Sequence, residues 1–374
     1  MPYNSQWTGQ QIDDAIGKVR DNTINALAVN VSFTPGDSGL GSTNVQDALE
    51  ELAGRPSGGG SPRTYRVVVG TSTAGWTEDD CDYLCDGTAD QTTISQAIAA
   101  LPEEGGVVYF LDGTYSLTST LTISSDNITL LGNHQSSILV NQGSAAVLVS
   151  GGNNFAMQNL LVTDERSSGS QATVVIIGAN YRISGCRFAN LNVLSLDISG
   201  QDALLQNTDF AAAQITATTG THNGARVWGC SRTGDTGSAL PWLLVSGNDI
   251  DIIGNYVCNA YTGINTQTCQ KVNIINNYIS NCNVGILTSG DIVGHNILNN
   301  MILNFVAYGI FTQSMNGQYI NVTGNYVALD DTIQTPSGTP IAIAGERNVV
   351  TSNITPGKQI TTMGSRVLID NNSY

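Results

Sequence analysis

Four pairs of carboxylates stand close enough along the chain to act together: Asp164 with Glu165, Asp197 with Asp202, Asp249 with Asp251, and Asp330 with Asp331. Two carboxyl groups about 5–9.5 Å apart are what cleavage of a glycosidic bond needs, one as acid and the other as base or nucleophile. Each pair also has a plainer reading, as turn-forming Asp or solvated loop charge, and that is the expectation for all four. Other reactive types are sparse. His134, His222 and His295 are scattered, and Cys81 with Cys85 is an isolated pair, so neither a zinc site nor a cofactor site is expected. Seven cysteines is an odd count, which speaks against a complete disulfide framework.

Anything these residues do depends on the elements that carry them, and the sequence repeats itself there. Residues 255–267 read NYVCNAYTGINTQ, residues 276–291 NNYISNCNVGILTSGD, and residues 300–313 NMILNFVAYGIFTQ. Aligned phrases put anchors at Asn133, Leu160, Cys186, Asn207, Cys230, Asn255, Asn277, Asn300, Asn325, Asn353 and Asn372, with intervals of 19–28 residues. Aliphatic residues fall three and five positions before the anchor and two after it (Ile250, Ile252 and Val257; Val272, Ile274 and Ile279). A drifting period of this length with strand-like alternation predicts an all-β coil of three short strands per turn, ten to eleven turns long. Stacked coils would let each anchor Asn hydrogen-bond the next, with Asn190, Asn259, Asn281 and Asn304 as a second ladder. Cys186 and Cys230, two coils apart, read as buried free thiols rather than a disulfide.

Two outward rows follow from the same alternation. One residue after the anchor come Tyr256, Tyr278, Met301 and Tyr326. The tyrosines are candidates for stacking on sugar rings, or else for packing on neighbouring loops or subunits. Two residues before the anchor, Leu205, Trp228, Ile253, Ile275 and Leu298 form an apolar stripe that a monomer would rarely expose. An interface between copies is the expectation there. Four residues before the anchor, Arg182, Ala203, Arg226, Asp251, Asn273, Asn296 and Asn321 form no acidic cluster, so no metal-dependent lyase pattern is present.

Composition sets the outer limits. Only 12% of residues are charged and the formal net charge is −16. Such a chain is ill suited to nucleic acid or to an anionic bilayer, and no apolar run is long enough for a membrane span. The start, MPYNSQWTGQ, lacks a basic region followed by an apolar core, so no signal peptide is expected and the protein would be made and left in a cytoplasm. Residues 1–62 differ from the rest. Short amphipathic helices are predicted at Thr8–Val19 and Thr43–Leu52, the second boxed by Thr43 and Gln46, followed by the linker SGGGSP at 57–62. Such helices need a docking partner. A division at 62/63 is therefore expected, with a helix near 91–101 led by Asp90.

Residues 85–133, CDGTADQTTISQAIAALPEEGGVVYFLDGTYSLTSTLTISSDNITLLGN, resemble the opening segment of pectate-lyase-like right-handed parallel β-helices. That likeness implies a capping helix over the first coil. WTGQQIDDAI at 7–16 and VSFTPGDSGLGSTNVQDALEELA at 31–53 resemble phage tail and tail-fibre proteins. Together they resemble a tailspike or receptor-binding protein. The resemblance implies a homotrimeric virion component, held to a tail or baseplate through residues 1–62 and recognising a host-surface glycan or receptor. Binding without catalysis is favoured. The alternative is a depolymerase, hydrolase or lyase, acting on capsule or wall polysaccharide.

Overall fold

The computed structural model describes residues 65–374, apart from 166–171, 190–193, 200, 217–223, 233–239, 314–315 and 330–337, and four isolated positions nearer the start. The chain divides into two compact units, Met1–Arg63 and Thr64–Tyr374. The two helices and the linker expected in the first lie, but for those four positions, outside the described residues. One detail is visible: Asn44 Oδ1 accepts from Asp47 N at 2.9 Å, and Asn44 Nδ2 donates to the Asp47 carboxylate at 2.7 Å. Asn44 thus makes a cap bond where the sequence suggested Thr43.

The second unit is a parallel β-helix. One coil shows the plan, with strands Asn248–Ile253, Tyr256–Cys258 and Thr262–Gln267 in succession. Each stacks in parallel on its counterpart one coil away, giving three faces. The first face is a 14-stranded sheet and the third an 11-stranded one. The second is built of four and five strands joined by bridges through Asp209. Alternation decides what is inside. Ile250, Ile252, Val257 and Ile264 are all fully buried, and register places them on Val272, Ile274, Ile279 and Ile286. The recurring glycine before the third-face aliphatic is a close-approach site: a Cβ on Gly285 would lie 2.6 Å from the Gly309 carbonyl oxygen.

The anchor asparagines form a continuous internal ladder. Nδ2 of Asn255, Asn277, Asn300, Asn325 and Asn353 each donates to Oδ1 of the next anchor, ending at Asn372, at 2.8–3.0 Å. The same oxygens accept from backbone N–H groups one coil earlier, so a corner without sheet bonding is still satisfied. Asn259, Asn281 and Asn304, expected as a second ladder, are left-handed corner residues with φ of 59°, 54° and 55°. Asn190 lies outside the described residues. Another left-handed corner opens the first face and is held in register along the rod by Asn127, Asn154, Asn180, Asp202, Asp249, Lys271, Tyr319 and Arg347. Non-glycine residues are costly there, and Asn and Asp tolerate it best.

One coil corrects the sequence alignment. Leu205 is fully buried and pairs with Ile183 and Val227 in the core, so it is not part of an outward stripe. Gln206 takes that outward place beside Trp228. The cause is Asn207, which is the left-handed corner residue (φ 48°) rather than the anchor; Thr208, buried, fills the anchor slot.

At the start of the rod, helix Gln91–Ala99 buries Ile94, Ala97 and Ile98. Asp90 makes no cap bond to this helix. Its carboxylate accepts from Gly87 N (3.0 Å) and from Ser116 N (2.7 Å), tying the helix to the first coil. Burial pushes the Asp90 carboxyl up, while the Ser116 and Gly87 bonds pull the other way. Cys186 and Cys230 are free and buried, each thiol pushed up to about 12 by burial. No helix among the described residues is long and apolar enough to cross a membrane.

Candidate functional site

The first face carries a groove of about 740 Å³. Its floor is set by register. Arg226, Asp251, Asn273 and Asn296 are consecutive outward positions on successive coils. Asp202, Asp249 and Lys271 come from the left-handed corner just before them and form one wall. Strands supply the floor and a rigid corner the wall, so the side chains are positioned by the core beneath.

The groove's charges are largely paired. Arg226 Nε lies 3.7 Å from Asp251 Oδ2, and Lys271 Nζ 3.6 Å from Asp249 Oδ1. Asp251 Oδ1 also accepts from Asn273 Nδ2 at 2.8 Å, and Asn273 Oδ1 in turn accepts from Asn296 Nδ2 at 2.8 Å. Asp202 differs. It is exposed, and no hydrogen bond or ion pair with the described residues holds it.

The remaining carboxylates do not converge. Asp197 lies on the third face between Val175 and Gln214, whereas Asp202 precedes a strand of the first, so sequence proximity does not make them a pair. Burial pushes the Asp197 carboxyl up. Asp164 is buried and accepts from Thr173 Oγ1 at 2.8 Å, a structural role, and Glu165 beside it is exposed. Asp330 and Asp331 lie outside the described residues. Among the described residues no cluster of three or more His, Cys, Asp or Glu side chains could hold a metal ion. His295 sits fully buried among core aliphatics and faces no groove.

Two further rows flank the anchor corner. Trp228 is 57% exposed, and Ile253, Ile275 and Leu298 follow it half-buried. Across the corner, Tyr256 is 50% exposed and Tyr278 half-buried, their rings stacked at 4.9 Å and 3°. Met301 and Tyr326 continue that row in register. Stacking along the rod occupies ring faces and turns ring edges and hydroxyls outward. The Tyr256 face toward Ser231 is the one opposite a small side chain. Sequence reasoning placed both rows outward, with Leu205 wrongly among them, and did not read Arg226, Lys271 and the asparagines as groove residues. Their signal was the sign alternation between neighbouring coils, readable only after the register is known.

No family model matches the sequence, and no curated protein matches it. Solved structures share its fold. A tailspike protein double mutant of E. coli bacteriophage HK620 superposes with a TM-score of 0.63 at 14% identity, covering 96% of this chain and 71% of that one. The Dettilon tailspike protein gives 0.61 at 18% identity, covering 76% of this chain and 66% of that one, so the chain spans just under two thirds of its length. The catalytic unit of an α-1,3-glucanase from Streptomyces thermodiastaticus gives 0.55 at 14% identity, over 86% and 70%. At these identities the likeness is one of fold.

Proposed function

We propose that this protein is a phage-tail or tail-like-particle component that recognises a host-surface glycan or receptor. The observation that carries the reading is a polar groove on a rigid rod face with one unengaged carboxylate, which suits holding a ligand better than cleaving it. The tailspikes among its fold neighbours support the same reading. The test is adsorption of the purified chain to candidate host cells before and after their surface polysaccharide is stripped. Binding that survives stripping removes the glycan reading.

A depolymerase is the second reading, favoured by one feature. Asp202 and Asp249 flank Gly224 two coils apart, roughly 9–10 Å at the sheet spacing, at the outer edge of the separation for an inverting hydrolase. Under the binding reading, prolonged incubation with host polysaccharide yields neither new reducing ends nor unsaturated products. Either product class would establish catalysis.

The reading extends to assembly. Trp228, Ile253, Ile275 and Leu298 mark the contact between copies, three rods side by side, and residues 1–62 dock to a tail or baseplate. Burying each large apolar side chain is worth about 1.5–3 kcal/mol. Light scattering at micromolar concentration is expected to give three times the chain mass, and a monomer would sink this arrangement. A chain of residues 63–374 is expected to melt cooperatively with a β-rich spectrum, because the capping helix and every described coil lie within it. Loss of that transition would show that the first unit is needed for folding.

A further inference from the structure

We propose that the first-face groove takes a neutral, hydroxyl-rich saccharide and turns away acidic ones. This rests on the glycan-recognition reading and adds the charge class of the ligand. An anionic sugar is held by a cation left over for it, usually an arginine presenting both ends of its fork. Here each cation of the lining faces a carboxylate, Arg226 across from Asp251 and Lys271 from Asp249. Asp202 remains over, so the lining carries one net negative charge. Arg182, exposed on the same outward row one coil before Leu204, stands outside the lining, and the whole chain is at −16. Residues 252–328 contain just two charged side chains, Lys271 and Asp291, so the coils that follow the groove, as far as residue 328, offer no basic patch.

What the groove does offer is hydroxyl chemistry. Asp202 is an exposed carboxylate able to accept from two vicinal hydroxyls. The Asn296–Asn273–Asp251 chain of hydrogen bonds fixes two side-chain amides in one orientation along the floor. Pre-set amides and a free carboxylate match alternating donors and acceptors on a sugar ring at little cost in side-chain entropy. A repeating acidic polymer would instead set several like charges against Asp202 and a negative protein.

The test is an array of neutral bacterial saccharides beside uronate- and sialate-bearing ones, probed with the full-length chain and with Asp202→Ala and Asp202→Lys. Lysine is tolerated at this corner, because Lys271 already occupies it in register with φ 54°. The wild type is expected to bind neutral saccharides, with acidic relatives of the same backbone weaker by about tenfold or more. Asp202→Ala should weaken neutral binding by about tenfold, and Asp202→Lys should gain acidic hits. Hits confined to acidic saccharides, or neutral binding that neither variant changes, would overturn the proposal. Absence of any hit while the chain still adsorbs to cells would overturn the groove and leave attachment standing. Absence of both would remove the glycan reading with it.

Discussion

Asn300→Ala is expected to lower stability by roughly 3–6 kcal/mol, whereas Asn276→Ala, with the same side-chain change, should lose only about 1 kcal/mol. Asn300 is 1% exposed. Its Oδ1 accepts from Asn277 N and from Asn277 Nδ2, both at 2.9 Å, and its Nδ2 donates to the Ile274 carbonyl at 2.9 Å. Truncation leaves a backbone N–H, a backbone carbonyl and half an amide without partners inside the core. Each such group costs about 1–3 kcal/mol when buried without a partner. Asn276 is exposed and serves its left-handed backbone, φ 56°, so alanine there meets only a conformational penalty. Urea midpoints of the two variants against wild type check the contrast. Equal losses would mean that the ladder contributes no more than a turn preference.

Acid should weaken the rod through His295, by about 3 kcal/mol between pH 6.5 and 4. His295 occupies an inward position whose register neighbours are Val272 and Ile320, and Thr266 Oγ1 lies 3.4 Å from its Nε2. Burial pulls the imidazole down to about 4 from an ordinary 6.5. Over that interval the unfolded chain binds the proton and the folded one does not, so folding stability rises with pH. The contribution is complete above pH 6.5, is lost as pH falls toward 4, and then stays flat. A shift of about 2.5 units corresponds to about 3 kcal/mol. His295→Val places an aliphatic side chain in an aliphatic row and should abolish this component. The stability of the variant relative to wild type is expected to rise by that amount from pH 7 to pH 4. A difference independent of pH would show that the histidine titrates normally.

The coil architecture was legible because its main signals are side-chain identities recurring at inward positions. Asn255, Asn277 and Asn300 announce their stacking by type alone, and the aliphatics around them give the strand alternation. The reading failed where one residue type serves two roles. Asn suits both the left-handed corner and the ladder, so Asn207 passed for an anchor when Thr208 held that place, and Leu205 was turned outward with it. The groove was half legible. Asp249 and Asp251 share a strand and were visible as a pair, but their partners Lys271 and Arg226 come from adjacent coils. Coil intervals vary by several residues, so which charge meets which depends on loop lengths that carry no repeat. Asp197 and Asp202 show the converse, since five residues of sequence take the chain around a corner to another face.

The direction in which the ladders run has a mechanical consequence. Sheet bonds and asparagine amides join each coil to the next, so they lie along the rod's long axis. Under end-to-end tension the coils act as springs in series, each junction bearing the whole force on its own few bonds. Extension then begins at whichever junction holds the fewest bonds and proceeds coil by coil rather than all at once. A thrust along the same axis closes those junctions instead, and the stacked core resists it over its full cross-section. The molecule is thus built to push more firmly than it can be pulled.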